Sequence, residues 1–204
     1  MEGMSDFEAL LAEIRACRLC ETHLPAGPRP VVRGRPGARL LVAGQAPGRR
    51  VHETGIPFND PSGDRLRDWM GIDRETFYDE RRIAILPMGF CYPGTVPKQG
   101  DLPPRPECAP AWRQRLMAGL PEARLVLAIG AYAQAWHLAG REGRNLTETV
   151  RRFRDYLPDV LPLPHPSPRN NLWLRRNPWF EAEVLPELKT RVADLVGFGV
   201  PTAL

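Results

Sequence analysis

Nowhere in the 204-residue chain do apolar residues run uninterrupted for long. A membrane-crossing helix needs about 18 or more in a row, so no transmembrane segment is expected. The opening residues, Met1-Glu2-Gly3-Met4-Ser5-Asp6, are acidic and carry no apolar signal core, and the expectation is a cytoplasmic protein. Lysine is nearly missing: Lys98 and Lys189 stand against 28 basic residues in all, and arginine supplies the rest. Arginine suits bidentate phosphate contact, although genomic base composition accounts equally well for its excess. A net charge of +4 permits nucleic-acid binding without demanding it. No internal period recurs, so the 23 prolines read as long ordered loops and not as a repeat. Cysteine is sparse, at four residues, and a chain of this length buries a full core without disulfides. One domain over residues 1–204 and a monomer are expected.

What is present alternates between two patterns. Short apolar runs at residues 40–43, 82–86, 124–129 and 160–163 read as buried parallel strands. Between them, helical spacing covers residues 64–70, 110–120 and 131–138, with a further turn at 76–78. Residues 147–156 read as one helix capped by Thr147, and residues 179–196 as a closing helix bent or split at Pro186. An N-terminal helix over residues 5–15 has Ser5 as cap and Glu8 three residues on, a capping-box pattern. The loop at 92–108 holds five prolines, and no regular hydrogen bonding is expected to support it. The sum is an α/β fold in three layers: a central parallel sheet of about four strands, helices on both faces, and a site at the strands' C-terminal ends.

Two loops carry the chemistry. After the first strand comes Gly44-Gln45-Ala46-Pro47-Gly48, whose glycines let backbone amides approach a ligand. It is followed by Thr54-Gly55-Ile56-Pro57-Phe58-Asn59, an aromatic ring set beside polar side chains on irregular backbone. After the last strand comes His165-Pro166-Ser167-Pro168. The cysteines fall as C-x2-C (Cys17, Cys20), a long gap, then C-x16-C (Cys91, Cys108), the latter pair bracketing the proline-rich loop. In a cytoplasmic chain that spacing favours ligation over disulfides, and both zinc and an iron-sulfur cluster accept four thiolates.

The GQAPG and HPSP loops together resemble the two signature motifs of the uracil-DNA glycosylase superfamily. The chain is most similar to the iron-sulfur branch called family 4, whose first motif reads GEAPG and continues to T-G-x-P-F. Thr54-Gly55-Ile56-Pro57-Phe58 stands at the matching offset, and Arg176-Asn177-Pro178 resembles the RNP that follows that branch's histidine motif. The resemblance implies a monofunctional hydrolase that cleaves the N-glycosidic bond of a flipped-out base in DNA. It also implies that Phe58 stacks on the base, that Gln45 and the amides of Gly44, Ala46, Pro47 and Gly48 meet its edge, and that His165 donates to the oxygen gathering negative charge. It further implies a structural [4Fe-4S] cluster on Cys17, Cys20, Cys91 and Cys108, with zinc as the alternative.

Two departures stand out. The carboxylate of GEAPG is replaced by Gln45, which can position water but cannot take its proton, leaving His52, Glu53 and Asp60 as nearby groups. The family's base-reading asparagine after the second strand is absent from Leu86-Pro87-Met88-Gly89, and Asn59 is its candidate substitute. Uracil, hypoxanthine and xanthine all remain open as substrates. The expected catalytic set is therefore Gln45, His165 and Asp60. Ser167 and Arg169 join Arg49, Arg50, Arg65, Arg175 and Arg176 as DNA contacts, and Leu172 or Trp173 as the wedge that fills the vacated stack. Neither lysine is placed to form a Schiff base. The rival readings are a weakly active or inactive glycosylase-fold protein that binds damaged or single-stranded DNA, and a nucleotide-binding protein with structural zinc.

Overall fold

The computed structural model of the chain describes residues 6–97 and 100–197; Ser5, the expected first cap, and Lys98 lie outside them. In chain order the helices and strands are α1 (Asp6–Arg15), β1 (Leu40–Ala43), α2 (Arg49–Thr54), α3 (Pro61–Met70), α4 (Arg74–Tyr78), β2 (Ile83–Ile85), β3 (Thr95–Val96) and β4 (Gly100–Asp101). They continue with α5 (Cys108–Ala118), β5 (Leu125–Ile129), α6 (Ala131–Leu138), α7 (Leu146–Arg151), β6 (Val160–Leu163), α8 (Asn171–Arg176) and α9 (Leu185–Val196).

Four of the strands form the sheet, in the order β2-β1-β5-β6, and every pairing is parallel. Their side chains alternate between two cores, as the strand period of two requires. Leu41, Ala43, Ala84, Val126, Ala128 and Val160 face the core shared with Phe7, Leu10, Leu11 and Ile14 of α1 and with Trp112 and Leu116 of α5. Leu40, Val42, Ile83, Ile85, Leu127, Leu161 and Leu163 face the other, filled by Leu66, Trp69 and Met70 of α3, Phe77 of α4, and Leu188 and Val192 of α9. Both faces are covered, which is why the strand sequences are apolar throughout. The fold is three-layered α/β, and the parallel sense brings the loops after β1, β2 and β6 to one edge of the sheet.

Several local expectations need correction. The helix expected at 64–70 begins earlier, at Pro61, because Asp60 caps it: its Oδ1 accepts from the Gly63 N–H at 2.9 Å, and proline is tolerated in a first turn. The helix expected over 147–156 is two pieces, α7 and a 3-10 turn at Phe153–Tyr156. Its cap is Asn145, whose Oδ1 accepts from the Glu148 N–H at 2.9 Å, while the Thr147 hydroxyl accepts from Trp173 Nε1 at 2.8 Å. The closing helix opens with a π turn, Phe180–Val184, and Pro186 falls in the first turn of α9, so the irregularity precedes the proline. The proline-rich loop does find regular pairing: β3 and β4 form a small antiparallel hairpin, Thr95 opposite Asp101 and Val96 opposite Gly100.

Candidate functional site

One cleft of about 430 Å³ opens at the C-terminal edge of the sheet, a volume within the usual range of ligand pockets. Its wall includes Gly44, Gln45, Ala46, Pro47 and Gly48 from the loop after β1, Pro57, Phe58 and Asp60 from the segment before α3, Pro87 after β2, Asp101 of β4, and His165, Ser167, Arg169 and Asn170 after β6. Asn59 is not on this wall. Its Oδ1 instead accepts from Arg74 Nη2 at 2.9 Å. His52 and Glu53 are absent from the wall as well, carried on α2.

The Phe58 ring is held between Gly44 and Phe77, and its backbone is pinned. A side chain on Gly44 would come within 3.2 Å of Phe58 Cζ, so the ring lies over the bare backbone at the mouth of β1. Phe77 meets the ring edge-on, with centroids 6.0 Å apart. The backbone carries a left-handed conformation, φ 53°, uncommon for a residue with a bulky side chain. It is pinned there by Tyr78 Oη donating to the Pro57 carbonyl at 2.7 Å and Arg67 Nη1 donating to the Phe58 carbonyl at 3.4 Å.

His165 is fixed by its own loop. Its Nδ1 accepts from the Ser167 N–H at 3.2 Å, which leaves the proton of the neutral ring on Nε2. Burial holds the imidazole below its ordinary range, with the carboxylates of Asp60 and Asp101 pulling the other way. Asn170, which sequence reading did not single out, donates from Nδ2 to the His165 carbonyl at 2.7 Å. Arg65 of α3 donates to the Ser167 carbonyl at 3.2 Å, so it ties α3 to the histidine loop.

The hairpin closes the cleft between the two loops. Gln45 Nε2 donates to the Leu102 carbonyl, just beyond β4, at 3.3 Å. On the other side the Arg169 guanidinium lies against Gly100, whose φ of 105° and lack of a side chain make room for it. Behind the cleft, Arg113 of α5 is wholly buried with hydrogen bonds to the Leu86 and Pro87 carbonyls, 2.5 and 3.2 Å, and to His137 Nε2 at 2.6 Å. Burial draws the guanidinium down to about 10, and burial together with the guanidinium draws His137 down to about 3.

Among the remaining expected DNA contacts, Arg175 and Arg176 are exposed at the end of α8. Leu172 on the same helix is exposed, at 48%. Trp173 is not free to act as a wedge: its indole N–H is bonded to Thr147 and its ring packs edge-on against Trp179 and Phe180.

All four cysteines line a second, smaller cavity together with Arg18 and Arg105. It joins the segment after α1, the stretch after β2 and the first turn of α5. Each cysteine is a free thiol, and burial pushes Cys91 up to about 11 and Cys108 up to about 12. The four cysteines share a cavity wall, although among the described residues no three His, Cys, Asp or Glu side chains are close-set enough to hold a metal ion as they stand.

Among solved structures, the chain is similar to a solution NMR structure of a candidate uracil DNA glycosylase from Methanosarcina acetivorans, at 16% identity and a TM-score of 0.45, over 78% of this chain and 97% of that one. The sequence model of the uracil DNA glycosylase superfamily matches residues 31–189, well over half of the chain. That span takes in both loops of the large cleft and the hairpin between them, and the chain belongs to the uracil DNA glycosylase superfamily.

Proposed function

We propose that the protein is a monofunctional DNA glycosylase of base excision repair, hydrolysing the N-glycosidic bond of uracil or a related deaminated base. The observation that carries this reading is the meeting of Phe58 and His165, from loops far apart in sequence, on the wall of one cleft. A base extruded from the stack would lie against the Phe58 ring, its edge toward the GQAPG backbone. As the C1′–N bond breaks, the electron pair leaves on the base, and its carbonyl oxygen becomes an oxyanion in need of a donor. His165 supports that role because its Nδ1 is already taken as an acceptor, so Nε2–H is the group left to donate. The ring needs no charge to do so, in keeping with a histidine held below its ordinary range.

DNA is the partner this reading requires, met by a monomer in the cytoplasm, with Arg49, Arg50, Arg169, Arg175 and Arg176 as phosphate contacts and Leu172 as the wedge. The shared cysteine cavity supports a [4Fe-4S] cluster held by Cys17, Cys20, Cys91 and Cys108, with zinc as the alternative. Four thiols and two arginines in one cavity suit an anionic thiolate-bound group, which would deprotonate thiols that burial otherwise keeps neutral. Its role is structural, fastening the segment after α1, the stretch after β2 and the first turn of α5 to one another.

The deciding experiment is an excision assay on single- and double-stranded oligonucleotides carrying uracil, hypoxanthine or xanthine. Free base and an alkali-labile abasic site are expected from at least one of them. Tight binding to the same oligonucleotides with no base released would replace the enzyme by a damage-binding protein.

A further inference from the structure

The wall of the cleft raises a question of proton balance. Hydrolysis breaks C1′–N, sends the electron pair to the base, forms C1′–O from water, and must put that water's proton somewhere. Gln45 cannot accept a proton, and one of its two amide N–H groups is already given to the Leu102 carbonyl. Nδ1 of His165 is occupied by the Ser167 N–H. Among the described residues, the carboxylates on the wall are Asp60 and Asp101.

These two differ in what they are already doing. Asp60 caps α3, its Oδ1 accepting from the Gly63 N–H at the positive end of a ten-residue helix. One oxygen of Asp60 is thereby committed to holding the first turn of α3. Asp101 comes from the hairpin and is oriented by hydroxyls. Thr95 Oγ1 donates to Asp101 Oδ1 at 2.6 Å, which spends the threonine proton, so the 2.6 Å contact between Tyr92 Oη and Thr95 Oγ1 must run from tyrosine to threonine. The relay fixes one oxygen and turns the other toward the first motif: Asp101 Oδ2 is 3.3 Å from where a Cβ on Gly48 would stand. Both ends of the hairpin's seat are supplied by the signature loops, Gln45 on one side and Arg169 against Gly100 on the other.

We infer that Asp101, delivered over the cleft by the β3–β4 hairpin, is the catalytic carboxylate that orients the attacking water and takes its proton, and that Gln45 is a positioning residue that seats the hairpin. The inference rests on the glycosylase reading above. In this chain the carboxylate missing from the first motif is returned by a different segment, and the amide in its place holds that segment down.

The test is single-turnover excision beside oligonucleotide binding measured by fluorescence anisotropy, on wild type, Asp101→Asn and Asp60→Asn. Asparagine keeps the size of aspartate at both sites and is itself a good helix cap, so folding is preserved. Loss of a general base costs about 10²–10⁴-fold in rate. Asp101→Asn is expected to lose that much while its binding stays within about twofold, and Asp60→Asn to lose at most about tenfold. Gln45→Ala is expected to slow excision and to raise amide exchange across the hairpin, whereas Asp101→Asn leaves exchange there unchanged. If wild type excises a base and Asp101→Asn excises it nearly as fast, or if Asp60→Asn carries the large loss, the assignment is overturned while the glycosylase reading stands. If wild type releases no base from any substrate, both fall together.

Discussion

At the scale of single residues, the histidines show how much of the chemistry is set by one hydrogen bond. His165 and His137 are both pushed toward the neutral form. Burial dominates for each, but His165 also has its Nδ1 filled by a backbone N–H, while His137 Nε2 faces the buried Arg113 cation. The two rings therefore carry opposite tautomers, Nε2–H in His165 and Nδ1–H in His137. Both titrate below the ordinary 6.5, and His137 only at about 3. In the unfolded chain a histidine binds its proton near pH 6.5, so between that pH and about 3 the unfolded state holds more protons than the folded one. The sign follows: stability is fully present above about 6.5 and declines as pH falls through that window. Nitrogen NMR of the imidazoles should report the two tautomers at pH 7, with His137 still uncharged at pH 6 and His165 taking up its proton only below the ordinary range. A His165 that titrates at or above the ordinary range would remove the donor geometry assigned to it.

At the scale of elements, caps and short helices decide where sequence patterns lead astray. Asn145 sits in extended backbone and bonds the Glu148 N–H, so Asn145→Ala should cost about 0.5–2 kcal/mol in urea unfolding. Thr147→Val leaves the cap untouched and breaks the bond to Trp173, a smaller loss of about 0.5–1.5 kcal/mol. Equal losses, or a larger one at Thr147, would restore the cap to that residue. The apolar runs at 40–43 and 160–163 and the helix at 131–138 are legible because each is bounded by glycine or proline and packed on the core. α2 is not, because Val51 is its one buried residue and no apolar stripe exists to be read. α8 has none buried. The hairpin is two residues a side, flanked by prolines and partly exposed, so it leaves no periodic trace. This explains the uneven reading of the site: Gly44, Phe58 and His165 belong to loops with distinctive composition, whereas Asp101 and Asn170 enter the cleft through folding that no local pattern announces.

At the scale of the whole molecule, the two cavities are connected through one segment. Residues 91–108 begin and end at the cysteine cavity, and between those ends they carry the hairpin that reaches the GQAPG and HPSP loops. A hairpin this small has little apolar surface of its own, and isolated two-stranded ribbons are marginal in water. Anchoring at both ends of the segment is the service a cluster on Cys17, Cys20, Cys91 and Cys108 would perform, and its removal is the test of whether the hairpin needs it. Wild-type protein purified without oxygen should be brown and contain iron and acid-labile sulfide in equal amounts; zinc in place of both would identify the other four-thiolate site. Cys108→Ala should be colourless and poorly folded, with amide protection lost first across residues 91–108 and excision lost with it. A Cys108→Ala protein that is metal-free, stable and fully active would mean that the hairpin is held by its contacts with Gln45 and Arg169 alone, and that the cysteine cavity has no part in building the cleft.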